Sequence, residues 1–290
     1  MYILWVNLSV DSIYGGSALL KVFERMVAQL ARFCALFSGS SGNCTYIGAG
    51  GRGILIDAGV SARRIKTALA QRGIELSSID AIFITHEHTD HIAGLRVLAA
   101  KAQIPVYLTK GTYEAIKDNA AVSAGVQFHL LDGDQPVGEL NISHFPTSHD
   151  CRESCGYIID TGRERLAVCT DLGVVDEQVD RALAGCRLVM LESNHDISML
   201  QSNPAYPYPL KRRILSEHGH LSNNACAEEL QRVVDAGATR LVLGHLSREN
   251  NRPALALQTA AHVLAAAGMQ QNADYLLAAA APCDNQMLFL

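Results

Sequence analysis

The sequence predicts an α/β (α+β) protein built as a four-layer αββα sandwich, with two mixed sheets packed face to face and helices outside. Three observations point there. Short apolar runs bounded by Ser, Gly, Asn and Asp recur from Arg32 onwards, the pattern of buried strands separated by turns. Helical periodicity falls between those runs in both halves of the chain, so each half can supply a sheet and its covering helices. No linker, low-complexity run or internal repeat interrupts the order. Residues 32–290 are therefore expected to form one domain, large enough to bury a sizeable core, with residues 1–31 as an N-terminal extension.

The elements follow in order. Arg32–Phe37, Cys44–Gly48 and Gly53–Asp57 read as strands between Ser/Gly loops. Ser61–Arg72 reads as a helix because Ile65, Ala68 and Leu69 share a face. Asp80–Thr85 is a buried strand. Helix Gly94–Ala102, strand Pro105–Leu108, helix Thr112–Ala121 and strand Val126–Leu131 continue the alternation. Strands Asn141–Phe145, Cys155–Asp160 and Arg165–Thr170 fill the middle, followed by helix Val175–Ala184 and strand Arg187–Glu192. Helices Pro209–Glu217 and Asn223–Asp235 flank a polar loop, and strand Arg240–Gly244 and helix Ala254–Ala267 close the pattern.

Composition narrows the class. Hydrophobic content of 49% and charged content of 18% belong to a globular chain. A net charge of −5 excludes a uniformly basic surface, so a nucleic-acid partner would need a local patch of Lys and Arg. The eight cysteines are scattered and several lie inside apolar runs, which reads as reduced, buried thiols and a cytoplasmic protein. Cys151 and Cys155, beside His149, lack a second Cys pair at zinc-finger spacing. Met1–Val10 is apolar without a basic leader or cleavage site, so it is not expected to be a signal peptide. Gly16–Ala31 suits a short amphipathic helix, either a partner anchor or an extension upstream of Met26. Pro253–Ala281 is broken by His262, Gly268, Gln270, Gln271, Asn272 and Asp274, so no membrane span is expected.

The chemistry is concentrated in His86-Glu87-His88-Thr89-Asp90-His91, directly after a buried strand. Side chains two apart in a tight loop point the same way, so His86 and His88 can grip one ion while Asp90 and His91 turn towards a second. Imidazole and carboxylate donors suit zinc, manganese or iron rather than calcium.

This H-x-H-x-D-H run resembles the signature of the metallo-β-lactamase superfamily. The resemblance implies further ligands at strand ends: His149 in Thr147-Ser148-His149-Asp150, Asp171 in Cys169-Thr170-Asp171-Leu172-Gly173 and His245 in Leu243-Gly244-His245-Leu246-Ser247. It implies that His86, His88, His149 and Asp171 hold one divalent ion and Asp90, His91, Asp171 and His245 a second, zinc or manganese, with Asp171 bridging. Such a pair activates water and neutralises charge on the substrate. Asp90 can also orient the nucleophile.

Phe37-Ser38-Gly39-Ser40-Ser41-Gly42-Asn43, Leu191-Glu192-Ser193-Asn194-His195-Asp196 and Gly219-His220-Leu221-Ser222-Asn223 are similar to the WalJ/YycJ exonuclease group. The last two also resemble ribonuclease Z. The resemblance runs from about Arg32 to the C-terminus and implies nuclease activity, on DNA rather than RNA. His220, at the start of a helix and polarised by Glu192, is the expected proton donor to the leaving group; alternatively Glu192 only orients a ligand and His220 caps structure. Candidate substrate contacts are Ser40, Ser41, Asn43, His195, Tyr208, Arg212, Arg213 and Arg248. The serines and Asn43 come from the Gly-Ser turn near the site, and Tyr206, Tyr208 and the arginines offer stacking and phosphate contacts. His129, His144 and His262 are expected outside the chemistry.

Three function classes remain. The first is a two-metal phosphodiesterase acting on nucleic acid, an exonuclease with DNA favoured. The second is a hydrolase of thioesters, lactams or cyclic phosphodiesters on the same fold, because fold does not fix substrate. The third is a binding or sensing protein with an inert metal site. The full ligand set disfavours the third, and Glu192 with His220 favours the first.

Overall fold

The computed structural model describes residues 30–290. The expectations for Met1–Val10 and for a helix over Gly16–Ala31 lie outside the described residues, apart from Leu30 and Ala31. The first sheet contains β1 (Arg32–Phe37), β2 (Cys44–Ala49), β3 (Arg52–Ile56), β4 (Ile79–Phe83), β5 (Val106–Leu108) and β6 (Phe128–Leu130) side by side. β1, β2 and β3 pair antiparallel and β3 to β6 parallel. The second sheet contains β7 (Gln135–Val137), β8 (Leu140–Pro146), β9 (Cys155–Asp160), β10 (Arg165–Cys169), β11 (Leu188–Glu192), β12 (Arg240–Gly244) and β13 (Leu276–Ala279), in that spatial order. Pairing is antiparallel from β7 to β10 and parallel from β10 to β13. A last strand, β14 (Leu288–Phe289), returns to the free edge of β1.

Alternation along the strands builds the layers. Phe33, Ile54, Ile56, Ala81 and Phe83 pack against Tyr157, Leu166, Val168, Leu188 and Met190 between the sheets. Their neighbours Cys34, Leu55, Ile82 and Ile84 point the other way, to α1 (Ala62–Ala70) and, beyond the short α2 (Thr89–Ile92), to α3 (Leu95–Ala102). On the opposite flank Ala167, Cys169, Val189 and Leu191 meet helices that follow later in the chain. Successive strand side chains face opposite sides, so strands apolar on both faces need cover on both, and four layers result.

The remaining helices are α4 (Lys110–Ile116), α5 (Ala120–Ser123), α6 (Glu177–Leu183), α7 (Ile197–Ser202), α8 (Tyr208–Ile214), α9 (Asn223–Asp235) and α10 (Pro253–Ala266). α6, α9 and α10 cover the second sheet through Val179, Leu230 and Leu264. The helix expected over Thr112–Ala121 is two, because Asn119 leaves helical geometry and its side chain caps Ala121 N. The helix expected over Pro209–Glu217 begins at Tyr208 and ends at Ile214. Among the described residues, no helix is long and apolar enough to cross a membrane.

Candidate metal centre and active site

The strand ends that carry chemistry meet on one edge of the sandwich. β3 runs into Asp57, β4 into Thr85 and the His86–His91 loop, β10 into Thr170 and Asp171, and β12 into His245. Asp57, Asp171 and His245 adopt left-handed backbone conformations, with φ of 64°, 61° and 52°. Such conformations cost on the order of 1–3 kcal/mol each in non-glycine residues, and here they turn each side chain off its strand into the same space.

Two lobes share that space. In one, the His86 ring centroid lies 4.6 Å from His88 and 5.0 Å from His149, and His149 Nε2 is 3.3 Å from His88 Nδ1. In the other, Asp90 Oδ2 lies 3.6 Å from both His91 Nε2 and His245 Nε2. Asp171 stands between them, its Oδ1 3.8 Å from His149 Nε2 and 3.3 Å from His245 Nδ1, its Oδ2 3.3 Å from His91 Nε2.

Four rings are held from behind. His86 Nδ1 meets Thr85 Oγ1 at 3.0 Å, His91 Nδ1 meets Asp57 Oδ2 at 2.7 Å, His149 Nδ1 meets Gly219 O at 3.0 Å and His245 Nδ1 meets Glu192 Oε1 at 2.7 Å. Each ring thereby turns its Nε2 inward, as metal-ligating histidines do. His86 Nε2, His245 Nε2 and Asp171 Oδ2 are buried and make no hydrogen bond. An orphaned buried polar atom costs about 1–3 kcal/mol, and three facing one space are what a divalent cation would satisfy. The nitrogen and oxygen donors fit such an ion. Ligand-type atoms lie within 4.8 Å of one another in the sets His86/His88/His149, Asp90/His91/His245 and His86/His91/Asp171.

The electrostatics agree. Burial opposes a charged His91, but Asp57 and Asp171 outweigh it and hold the pKa up at about 9. His245 is likewise pushed up, against burial, by Asp171, Asp90 and Glu192. His86, buried and surrounded by other imidazoles, is pushed well down. The carboxylates thus favour positive charge at His91 and His245, charge that a metal ion can supply in place of protons.

Glu192 links this cluster to a cavity. It is fully buried, and its Oε2 accepts hydrogen bonds from Leu172 N and Leu221 N, each 3.1 Å. Oε1 serves two rings, His245 Nδ1 at 2.7 Å and His220 Nδ1 at 2.9 Å. Burial pushes the Glu192 carboxyl up, but the two histidines prevail and hold it well below the usual range. His220, also raised by Glu192 against burial, lines a cavity of ≈ 230 Å³ with Ser40, Asn194, Tyr206, Leu210, Arg213 and Ser247.

Other sequence candidates are distributed as follows. Ser41 Oγ accepts from Arg248 Nη2 at 2.9 Å. Asn43 is 6% exposed; its Oδ1 accepts from Gly39 N and its Nδ2 lies 3.1 Å from His91 Nε2, so its polar atoms serve the loop and the cluster. His195 is buried, with neither ring nitrogen bonded. Arg213 pairs with Asp150 at the cavity edge, Arg212 is exposed, and Tyr208, 72% exposed, points away while Tyr206 lines the cavity. His220 does not begin a helix: α9 starts at Asn223, capped by Ser222. Cys151 and Cys155, whose thiols burial pushes up to about 11 and about 12, belong to none of the ligand groups among the described residues.

Sequence reasoning missed Asp57 and Thr85 as supports of the histidine cluster. The available signal was modest: an acidic residue at the end of a buried strand, where no solvent was expected.

A family model described as the β-lactamase superfamily domain matches residues 52–246. The exodeoxyribonuclease YycJ of Bacillus anthracis is 35% identical over 234 residues, covering 80% of this chain and 88% of that protein. The exodeoxyribonuclease WalJ of Streptococcus pneumoniae is 34% identical over 248 residues, covering 84% and 92%. The crystal structure of the metallo-β-lactamase fold protein YhfI from Bacillus subtilis superimposes with a TM-score of 0.67 at 15% identity, covering 89% of this chain and 99% of that one.

Proposed function

The chain belongs to the β-lactamase superfamily and is a metal-dependent hydrolase, and on that premise we propose that it is an exonuclease cleaving phosphodiester bonds of DNA in preference to RNA. The relatives' activity supports the substrate. The observation that carries the reading is the sharing of Glu192 Oε1 between His245 and His220, which ties the metal-ligating cluster to a proton-bearing ring on the cavity wall.

In this reading His86, His88, His149 and Asp171 hold one divalent ion and Asp90, His91, Asp171 and His245 a second, with zinc or manganese suited to the donors. When bound, the ions polarise the phosphoryl group and lower the pKa of water. The remaining work falls to the chain itself. Glu192 fixes His220 through Nδ1, leaving Nε2 as the proton donor to the departing sugar oxygen. Because Glu192 raises the pKa of His220, the ring keeps that proton to higher pH than an ordinary histidine does. Asp90, beside both His91 and His245, orients the attacking water. Arg213 and Ser40, on the cavity wall, bind the substrate phosphate and sugar.

Residues 32–290 form the catalytic domain in this reading, with residues 1–31 as an extension. Ala31, assigned to that extension, is buried and pairs with Leu290 through both backbone groups, so it belongs with the domain.

The test is a screen of metal-loaded protein against end-labelled single- and double-stranded DNA and RNA, alongside a thioester and nitrocefin. Stepwise shortening of DNA from one end is expected. Efficient thioester or lactam cleavage with every oligonucleotide left intact would overturn the reading.

A further inference from the structure

A cationic surface lies beside the Ser-Gly loop, outside the cluster and its cavity. α1 leaves the site directly after the Asp57–Gly59 turn, where a Cβ added to Gly59 would lie 1.6 Å from Asp90 O. The segment from Ser61 to Arg72 carries Arg63, Arg64, Lys66 and Arg72 with no acidic residue, in a chain of net charge −5. Arg72 is spent internally, donating to Asn285 O. Arg63, Arg64 and Lys66 are exposed, while Ile65, Ala68 and Leu69 face the core.

The position of these cations is defined. The Arg64 guanidinium lies over the ring of Phe37, 4.7 Å from its centroid, and Phe37 leads directly into the Ser-Gly loop. Arg63, Arg64 and Phe37 line a groove of ≈ 250 Å³ that Cys283 and Asp284 close on the other side. Arg248 comes from the far side of the loop to bond Ser41, and its charge and that of Arg64 both act on Cys283. Asp284 and Glu249 are the acids beside the patch, and Asp284 accepts from the Cys283 thiol. Ser40, one residue before Ser41, lines the His220 cavity. One surface therefore runs from that cavity across Ser40 and Ser41 to Arg248, Arg64 and Arg63.

We propose that this ridge is the track for the nucleic-acid strand extending away from the scissile bond, with Arg248, Arg64 and Arg63 holding successive phosphates while the terminal nucleotide occupies the His220 cavity. The proposal rests on the phosphodiesterase reading above. Guanidinium groups bind phosphate oxygens without reading bases, so the track confers affinity and length dependence but no sequence preference. It also accommodates a polyanion on a chain of net negative charge, since the cations are local.

The test uses the full chain, metal-loaded, with the charge-reversing double variant R63E/R64E and the charge-keeping R63K/R64K. The substrates are a single-stranded DNA of about 30 nucleotides and bis-p-nitrophenyl phosphate, with binding to the DNA titrated between about 50 and 200 mM salt. R63E/R64E is expected to weaken DNA binding at least roughly tenfold and to reduce the log–log salt slope by about 1.4, two phosphate contacts at ~0.7 each. Its turnover of the small diester should stay within about twofold of wild type, and R63K/R64K should keep the wild-type salt slope because the number of positive charges that displace counterions is unchanged. An unchanged salt slope, or parallel losses on both substrates, overturns the track while leaving the nuclease reading intact. A wild-type protein that cleaves the small diester and no oligonucleotide overturns the nuclease reading and the track with it.

Discussion

Asp57 Oδ2 lies 2.7 Å from His91 Nδ1, and both residues are buried. The same carboxylate accepts from Thr85 N and Thr85 Oγ1, so the aspartate is anchored before it orients the ring. This contact leaves His91 Nε2 as the inward donor. Asp57→Asn should weaken metal binding by about 10–100-fold, the usual effect of losing such a supporting carboxylate. Competition with a chromophoric chelator measures it, and an affinity within twofold of wild type would show that Asp57 only braces the loop. The same pair sets a pH dependence. With the pKa of His91 at about 9 in the metal-free protein, the stability it contributes is fully present below its unfolded value near 6.5 and is lost as pH rises through 9. Metal affinity should move the opposite way, rising with pH across that window as protons cease to compete.

Asp171 faces both lobes, with Oδ2 towards His91 and Oδ1 towards His149 and His245. Asp171→Ala should therefore lose both ions, whereas Asp90→Ala, at a carboxylate that lies beside His91 and His245 in one lobe, should lose chiefly one. Elemental analysis of the purified variants distinguishes them. Two ions per chain retained in Asp171→Ala would remove the bridging role.

The histidine run is legible because its density after a buried strand has no ordinary structural use, and the resemblance to the metallo-β-lactamase signature adds His149, Asp171 and His245 as ligand candidates after expected strands. What supports them is not legible. Asp57 sits 34 residues before His91 and looks like the polar end of a strand; only the parallel pairing of β3 with β4 brings the two together. Long-range pairing also hid β14, whose two residues gain meaning solely against β1, and β7, whose three residues Gln135, Pro136 and Val137 are too few to show strand patterning. In Tyr206-Pro207-Tyr208-Pro209 the sequence offers two equivalent aromatics. Helix α8, capped at Pro207, decides between them by following Tyr206 and carrying Tyr208 into solvent.

Away from the site, Glu229 on α9 is fully buried with Oε1 lacking a partner, while Oε2 meets Arg232 Nη1 at 2.6 Å. Burial raises its pKa from 4.5 to about 7, Arg232 opposing and Asp180 adding to the rise. An acid raised in the folded state contributes stability that is complete below its unfolded pKa and disappears as pH climbs through the folded one. Stability from this residue should thus fall between about pH 4.5 and 7. Glu229→Gln removes the dependence, and its advantage over wild type should be on the order of 1–3 kcal/mol greater at pH 8 than at pH 5. Paired chemical denaturation at the two pH values tests this. An equal or smaller advantage at pH 8 would mean that the carboxylate ionises freely in place.

The catalytic assignment of His220 makes the most discriminating prediction. Its Nδ1 is committed to Glu192 and its ring borders the cavity beside Arg213 and Ser40, so its free nitrogen is the one that can meet a leaving group. A nucleic-acid sugar oxygen is a poor leaving group and needs a proton as the bond breaks. His220→Ala should therefore slow DNA cleavage by about 10²–10⁴-fold. Bis-p-nitrophenyl phosphate releases an anion that departs without a proton, so its hydrolysis should change far less, whereas Asp171→Ala should abolish both. Because His220 also lies 3.8 Å from Asp171 Oδ1, a structural or metal-holding role is the competing account. It predicts equal losses on the two substrates together with loss of metal. Metal content at the wild-type level, with a DNA-specific loss that shrinks as the leaving group improves, assigns the proton to His220.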